Sequence, residues 1–228
     1  MVELIAGLRA EVIRANLERV RAEIVAASER AQARSPAGEP REVQVLAAIK
    51  YVASADLPLL AEAGIRLVGE NRAQDLQEKF AAHADLFEWD FIGQLQSRRV
   101  RLIVPYVRLI HSLASESALR ELERHIELAR PGLRVLLEVN VAGEAGKAGI
   151  APQEIGAFIA RSPLPVAGLM TMPPLSPQAE DSRRWFAALR ELAGEHGLEH
   201  LSMGTSQDYV VAVEEGATIV RIGTSLYH

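Results

Sequence analysis

From residue 43 onward the chain repeats one pattern: a short apolar run, a turn of small or polar residues, then a stretch whose apolar positions recur every three or four residues. The first run, Val43-Gln44-Val45-Leu46-Ala47-Ala48-Ile49, is aliphatic enough for a strand buried on both faces, and it leads directly into Lys50. A helical pattern opens after it at Ser54-Ala55-Asp56-Leu57. The same alternation predicts strands at 65–69, 89–93, 109–112, 133–141, 166–172, 200–204 and 218–223. Between them it predicts helices over about 72–83, 98–104, 116–129, 152–160, 179–196 and 208–215. Ahead of the first strand, Leu8, Val12, Ile13, Leu17, Val20, Ile24 and Val25 recur at helical spacing, which predicts a leading helix from about 5 to 34. Ser35-Pro36-Ala37-Gly38-Glu39-Pro40 breaks that helix as a short loop.

Eight strands, each followed by a helix or helical turn, is the count that closes a TIM (β/α)8 barrel. An open doubly wound sheet also alternates, but with fewer strands and a glycine fingerprint after the first, and no G-x-G-x-x-G stands there. No composition shift, internal repeat or low-complexity tract marks a second domain. The expectation is an α/β fold: one barrel domain over residues 1–228 with an extra N-terminal helix.

Composition narrows the chemistry. The chain has 228 residues, 49% hydrophobic and 24% charged, as in an ordinary globular protein. A net charge of −5 argues against a general nucleic-acid binder. The absence of cysteine excludes disulfides, thiolate metal sites and a thiol nucleophile, and the six histidines show no metal-ligand spacing. No apolar run reaches the roughly 18 residues of a membrane span, and Met1-Val2-Glu3-Leu4 lacks the start of a signal peptide. A cytoplasmic protein with no membrane partner is expected.

In a barrel of this kind active sites form at the carboxyl ends of the strands. Those positions hold Lys50, Glu70-Asn71, Gly93-Gln94, His111-Ser112, Asn140, Met170 to Met172, Gly204-Thr205-Ser206 and Arg221-Gly223-Thr224. A partly desolvated lysine at a strand end is available for Schiff-base chemistry, although a lysine that merely snorkels to solvent fits the same position. Ser206 suits the N-cap of the helix after strand seven, and Gly223-Thr224-Ser225 follows strand eight, the two places where barrels often bind phosphate. Arg221 lies inside an apolar strand, where a charge needs a partner. Either an ion pair with a carboxylate such as Glu138 or Glu70, or donation to a ligand, satisfies that need. Together, a Schiff-base lysine, a phosphate cradle and an arginine suit pyridoxal 5′-phosphate (PLP).

The segments Ala48-Ile49-Lys50, Gly69-Glu70-Asn71, Phe91-Ile92-Gly93-Gln94-Leu95-Gln96, Ile110-His111-Ser112, Lys147-Ala148-Gly149, Gly168-Leu169-Met170-Thr171-Met172, Ser202 to Asp208 and Val220-Arg221-Ile222-Gly223-Thr224 occur in one order over roughly residues 43 to 226. In that order the sequence resembles the YggS/PROSC family of pyridoxal phosphate homeostasis proteins, relatives of the barrel domain of bacterial alanine racemase. The resemblance implies an aldimine on Lys50, Asn71 near the cofactor ring, and Ser206, Gly223 and Thr224 at the phosphate with an amide from Thr205. It also implies Arg221 facing the pyridine nitrogen. A fixed cation there disfavours protonating the ring, which makes it a poor electron sink. This chain departs from the family pattern at Thr205, where a methionine is usual, and at Arg98-Arg99, where asparagine-lysine is usual.

Alanine racemase uses a second base, a tyrosine from a further β-domain, and none of Tyr51, Tyr106, Tyr209 and Tyr227 stands in a recognisable equivalent setting. The expected function is therefore PLP homeostasis, buffering or delivering the cofactor to apo-enzymes from a monomer, without robust turnover. The alternatives are a fold-type III racemase with an unassigned second base and a lysine aldolase acting on a phosphorylated sugar. The last leaves Arg221 and Asn71 without a role.

Overall fold

A computed structural model of the chain describes residues 4–34 and 42–228. Eight parallel strands close on one another in chain order: β1 (Gln44–Ala48), β2 (Leu67–Glu70), β3 (Glu88–Phe91), β4 (Leu109–Leu113), β5 (Arg134–Glu138), β6 (Val166–Met170), β7 (His200–Thr205) and β8 (Ile219–Ile222). The seam between last and first strand is in full register, with Val45 opposite Val220 and Leu46 opposite Arg221. Around the barrel lie α1 (Ala10–Arg34), α2 (Leu57–Glu62), α3 (Ala73–His83), α4 (Glu116–Arg124), α5 (Ile155–Arg161), α6 (Arg183–Glu195), α7 (Tyr209–Glu214) and α8 (Thr224–Tyr227). The barrel and its leading helix are those the sequence pattern predicts. The expected break at Ser35 to Pro40 lies outside the described residues.

Strand alternation sorts the side chains. Trp89, Ile110, Leu137, Leu201, Val220 and Ile222 pack outward with the helices in one buried cluster. Leu46, Leu109, Leu136, Met170 and Ile219 form a second cluster inside the barrel. The positions two residues further along β4, β5 and β8 are His111, Glu138 and Arg221, all buried. The barrel is thus filled by aliphatic side chains at one end and by polar ones toward the carboxyl rim.

Several elements are shorter than the pattern suggests. β1 ends at Ala48, so Lys50 lies in the turn beyond it. β5 ends at Glu138, with Val139 making an isolated bridge to Ile150. The expected helix over 98–104 is a 3-10 turn, Ser97–Leu102, and the one over 116–129 stops at Arg124 before a second such turn. The leading helix begins at Ala10, because Ile5 donates its N–H to the Tyr51 carbonyl at 2.8 Å and holds the preceding segment out of the helix.

α1 is not an appendage. It buries Ile13, Leu17, Val20, Ile24 and Ala27, and it packs on α7 and the four-residue α8, covering the side of the barrel that α8 is too short to cover. Polar ties fix it there: Tyr209 donates to Glu23, Arg30 pairs with Glu214 at 2.6 Å, and Asn16 donates to the carbonyls of Leu226 and His228. Despite its 25 residues, α1 is amphipathic, and among the described residues no helix is long and apolar enough to cross a membrane. Leu17→Ala is expected to destabilise the fold by about 3 kcal/mol, through lost burial and the cavity left. Val25→Ala, on the exposed face of the same helix, should stay within about 0.5 kcal/mol of the parent. Urea unfolding of the two variants measures the difference.

Candidate functional site

Lys50 stands just beyond β1 at the carboxyl rim, half-buried, with Nζ 4.5 Å from the centroid of the Tyr51 ring. Its backbone is held from behind by a second lysine. Lys79, on α3 and almost wholly buried, donates to the Ile49 carbonyl at 2.8 Å and to Glu70 Oε2 at 2.6 Å. Glu70 Oε1 in turn accepts the Asn71 N–H at 2.7 Å. One buried ion pair therefore fixes the residue before Lys50 and the loop that presents Asn71. Asn71 Oδ1 is itself buried without a hydrogen-bond partner, a state that calls for a donor. Gly93 packs against this loop so closely that a Cβ would lie 2.0 Å from the Asn71 carbonyl oxygen.

The two loops expected to hold phosphate meet. Ser206 Oγ accepts from the amides of Gly223 and Ser225 at 3.1 and 3.3 Å. Two N–H groups thus converge on one oxygen at the start of α8. Ser206 is not the N-cap of the following helix; Asp208 occupies that position, because α7 begins only at Tyr209. Asp208 Oδ1 also takes the Thr205 amide at 2.8 Å and its hydroxyl at 3.0 Å, so Thr205 already has a partner inside the chain. Thr224 is exposed beside this loop. Gly204, at φ +90°, sits where a Cβ would come within 2.6 Å of the Ala212 Cβ, so glycine alone lets β7 turn into α7 here.

Arg221 points into the barrel, 6% exposed, and has no direct carboxylate partner. Its Nη1 donates to Ser202 Oγ at 2.5 Å, and Nη2 to the Thr171 carbonyl at 3.0 Å and toward Met172 Sδ at 2.9 Å. Neither expected ion pair forms: Glu70 is taken by Lys79 on the outer face of β2, and Glu138 acts only through space. Burial pulls the guanidinium pKa down to about 10, against the raising influence of Asp208 and Glu138, so it stays charged near neutral pH. Burial also pushes the Glu138 carboxyl up, with Arg221 and Lys147 opposing.

Lys50, Asn71, Thr205, Ser206, Arg221, Gly223 and Thr224 all lie at the carboxyl ends of β1, β2, β7 and β8, and β8 joins the first pair to the second through the seam. Lys79, Ser202, Asp90 and Arg108 carry chemistry the sequence pattern passed over. A signal existed for each strand residue: a polar side chain at an inward position of an apolar strand, the same signal that singled out Arg221. Lys79 shares a helical stripe with Leu76 and Phe80. Among the described residues no cluster of ligating side chains could hold a metal ion.

Comparison with known proteins gives this rim a lineage. The family described as "Alanine racemase, N-terminal domain" matches residues 12–228. The pyridoxal phosphate homeostasis protein of Aquifex aeolicus is 43% identical over 175 residues, 72% of this chain and 77% of its own. That of Pseudomonas aeruginosa is 39% identical, over 89% of this chain and 91% of its own. The chain belongs to the pyridoxal phosphate homeostasis proteins, within the alanine racemase N-terminal domain family. Among solved structures, PipY of Synechococcus elongatus, with PLP bound, is 32% identical with a TM-score of 0.72, covering 89% of this chain and 100% of that one. The likeness extends over most of the barrel.

Two outcomes test the electrostatics of the rim. Lys79→Met leaves Glu70 charged and buried without its cation, and should cost about 3–5 kcal/mol in urea unfolding, most of it recovered when Glu70→Gln is added. Glu138 holds its proton to higher pH in the folded than in the unfolded chain, so its contribution to stability falls as pH rises through the ordinary carboxylate range. Glu138→Gln should remove that fall: its urea midpoint relative to the parent should rise between pH 4 and pH 7.

Proposed function

We propose that this protein binds PLP at the carboxyl rim of the barrel and acts in pyridoxal phosphate homeostasis, holding the cofactor and passing it to apo-enzymes. One observation carries the reading: a lysine amine, a buried cation and two convergent amides meet where the first and last strands join. These groups match the functional parts of PLP. Lys50 would bind the aldehyde carbon, and the Gly223 and Ser225 amides with the Ser206 and Thr224 hydroxyls would hold the phosphate. Thr205 would line that loop through its backbone, and Asn71 Oδ1 would accept from the ring side. Arg221 would face the pyridine nitrogen. Relatives of more than 30% identity that carry the homeostasis name, and the PLP bound to PipY, support the same assignment.

When bound, PLP supplies an electron-withdrawing ring able to stabilise a carbanion, and the residues here restrain that capacity. Facing the nitrogen, the Arg221 guanidinium would donate a hydrogen bond and give up no proton, so it would disfavour protonation of the ring. The four tyrosines, the residue type that would supply a second base, are each engaged within the chain. Tyr209 donates to Glu23, Tyr227 donates to the Ala48 carbonyl at 3.2 Å, and Tyr106 stacks against Phe80 with ring centroids 5.0 Å apart. Tyr51 carries the Lys50 ammonium over its ring face. This arrangement supports the reading of a carrier without robust racemase activity.

Adding PLP to the purified protein should produce a visible absorption band, and borohydride followed by peptide mapping should place the adduct on Lys50. Lys50→Ala should show neither, whereas an unchanged band in that variant rejects the assignment. Ser206→Ala should weaken PLP binding by about tenfold, the effect of one lost hydrogen bond to a charged group. Racemisation of added L-alanine at a rate typical of an enzyme, about 1 per second or faster, would replace the carrier reading by the racemase one.

A further inference from the structure

The Arg221 guanidinium is the near end of a hydrogen-bonded chain that crosses the whole barrel. Ser202 Oγ lies 2.8 Å from His111 Nδ1, and His111 Nε2 lies 3.1 Å from Asp90 Oδ2. Arg108 closes the far end: its Nη2 donates to Asp90 Oδ2 at 3.1 Å and to Gln44 Oε1 at 2.8 Å, and its Nε lies 2.9 Å from Asp90 Oδ1. Ser202, His111 and Asp90 are all buried.

The two ends, together with burial that favours the neutral ring, orient every link in this chain. An arginine only donates, so Ser202 Oγ accepts from Arg221 and keeps its own O–H to give. A neutral ring that donates to Asp90 from Nε2 has a bare Nδ1 to accept that O–H. The remaining ring proton sits on Nε2 and donates to Asp90, whose carboxylate only accepts. His111 is held as the neutral Nε2–H tautomer. The charged and titratable groups around the ring agree: Asp90 on β3 favours an imidazolium, but Arg221 on β8, Arg108 ahead of β4 and His200 on β7 oppose it. Burial, the largest influence, opposes it too and lowers the His111 pKa.

We propose that His111 is a positioning residue for the cofactor site: through Ser202 it aims the Arg221 guanidinium at the pyridine nitrogen and ties that cation to the buried Asp90 carboxylate. The role rests on the PLP assignment above. It explains how a guanidinium with no direct counter-ion holds one orientation. Ser202 is locked by His111, His111 by Asp90, and Asp90 by a second arginine. Touching no reacting atom, His111 acts through Ser202 and Arg221.

Nitrogen-15 NMR of the histidine rings in the PLP-free protein tests the wiring by itself. His111 should remain neutral, with its proton on Nε2, from pH 5.5 to 8. Titration near 6.5, or a proton on Nδ1, overturns the proposal. The PLP-loaded protein tests the consequence. His111→Phe removes both ring hydrogen bonds, and should move the pH midpoint of the visible cofactor band by about one unit or more, as expected when a nearby charge shifts. His111→Gln places an amide oxygen and nitrogen where the ring nitrogens stood, and should restore the midpoint. A lower melting temperature with an unmoved midpoint in His111→Phe marks a merely structural histidine and overturns the role. If His111→Phe does not fold, Ser202→Ala cuts the same chain beside Arg221 and is judged by the same midpoint. A parent protein with no visible band rejects the PLP assignment, and the positioning role with it, while the NMR result still reports the wiring separately.

Discussion

A guanidinium enclosed by a barrel must be solvated by the protein, and much of this structure is arranged around that requirement. Arg221 sits at the same level as Leu46 on the neighbouring strand, with aliphatic side chains below it. An unpaired cation there would cost several kcal/mol, yet the nearest carboxylates act only through space. The chain solves this with neutral dipoles placed close and negative charge placed further off. A serine hydroxyl, a backbone carbonyl and a thioether take the N–H groups, while Asp208 and Glu138 supply the field. No carboxylate grips the guanidinium directly.

The other charge buried near the rim is handled oppositely. Lys79 and Glu70 are in direct contact, on the outer face of the sheet where helix and strand press together. Such a pair adds little to stability over apolar packing, but its geometry is specific. Here it pins the Ile49 carbonyl and the Asn71 amide at once, joining the ends of β1 and β2. The two lysines at this end of the barrel, one on α3 and one after β1, therefore differ: Lys79 is held still by Glu70, and Lys50 stands at the rim.

How much of this was legible beforehand depends on whether a residue's meaning is local. Lys50, Ser206 and Arg221 stand out because each interrupts or ends an apolar run, and strand ends are legible from the run itself. The barrel follows from counting those runs. Ser202, Asp90 and His111 come together only when the closed barrel sets β7 across from β3 and β4, and alternation in a short strand fixes the face without naming what stands opposite. The Glu70–Lys79 pair reads as two unrelated charges until α3 folds onto β2. Element ends misread for a related reason: Lys50 leaves the strand two residues early because the Ile49 carbonyl is claimed by Lys79 and by the Val52 amide, a tertiary effect that no local pattern encodes. Ser206 reads from the sequence as an N-cap for the helix that follows, yet its hydroxyl takes other amides. It accepts from Gly223 and Ser225 just beyond β8, which lies next to β7 in space.

The seam between β8 and β1 has a consequence for the life of the molecule before it is finished. The Lys50 amine and the convergent amides of residues 223 and 225 come from the two ends of the barrel sequence. During synthesis the lysine emerges from the ribosome long before the arginine and the amides that complete its surroundings. A growing chain with β1 to β7 in place still lacks the cation, the anion cradle and the strand that would close the barrel. On the proposed assignment, cofactor capture would wait until β8 has joined β1, and loading with PLP would report that the barrel has shut.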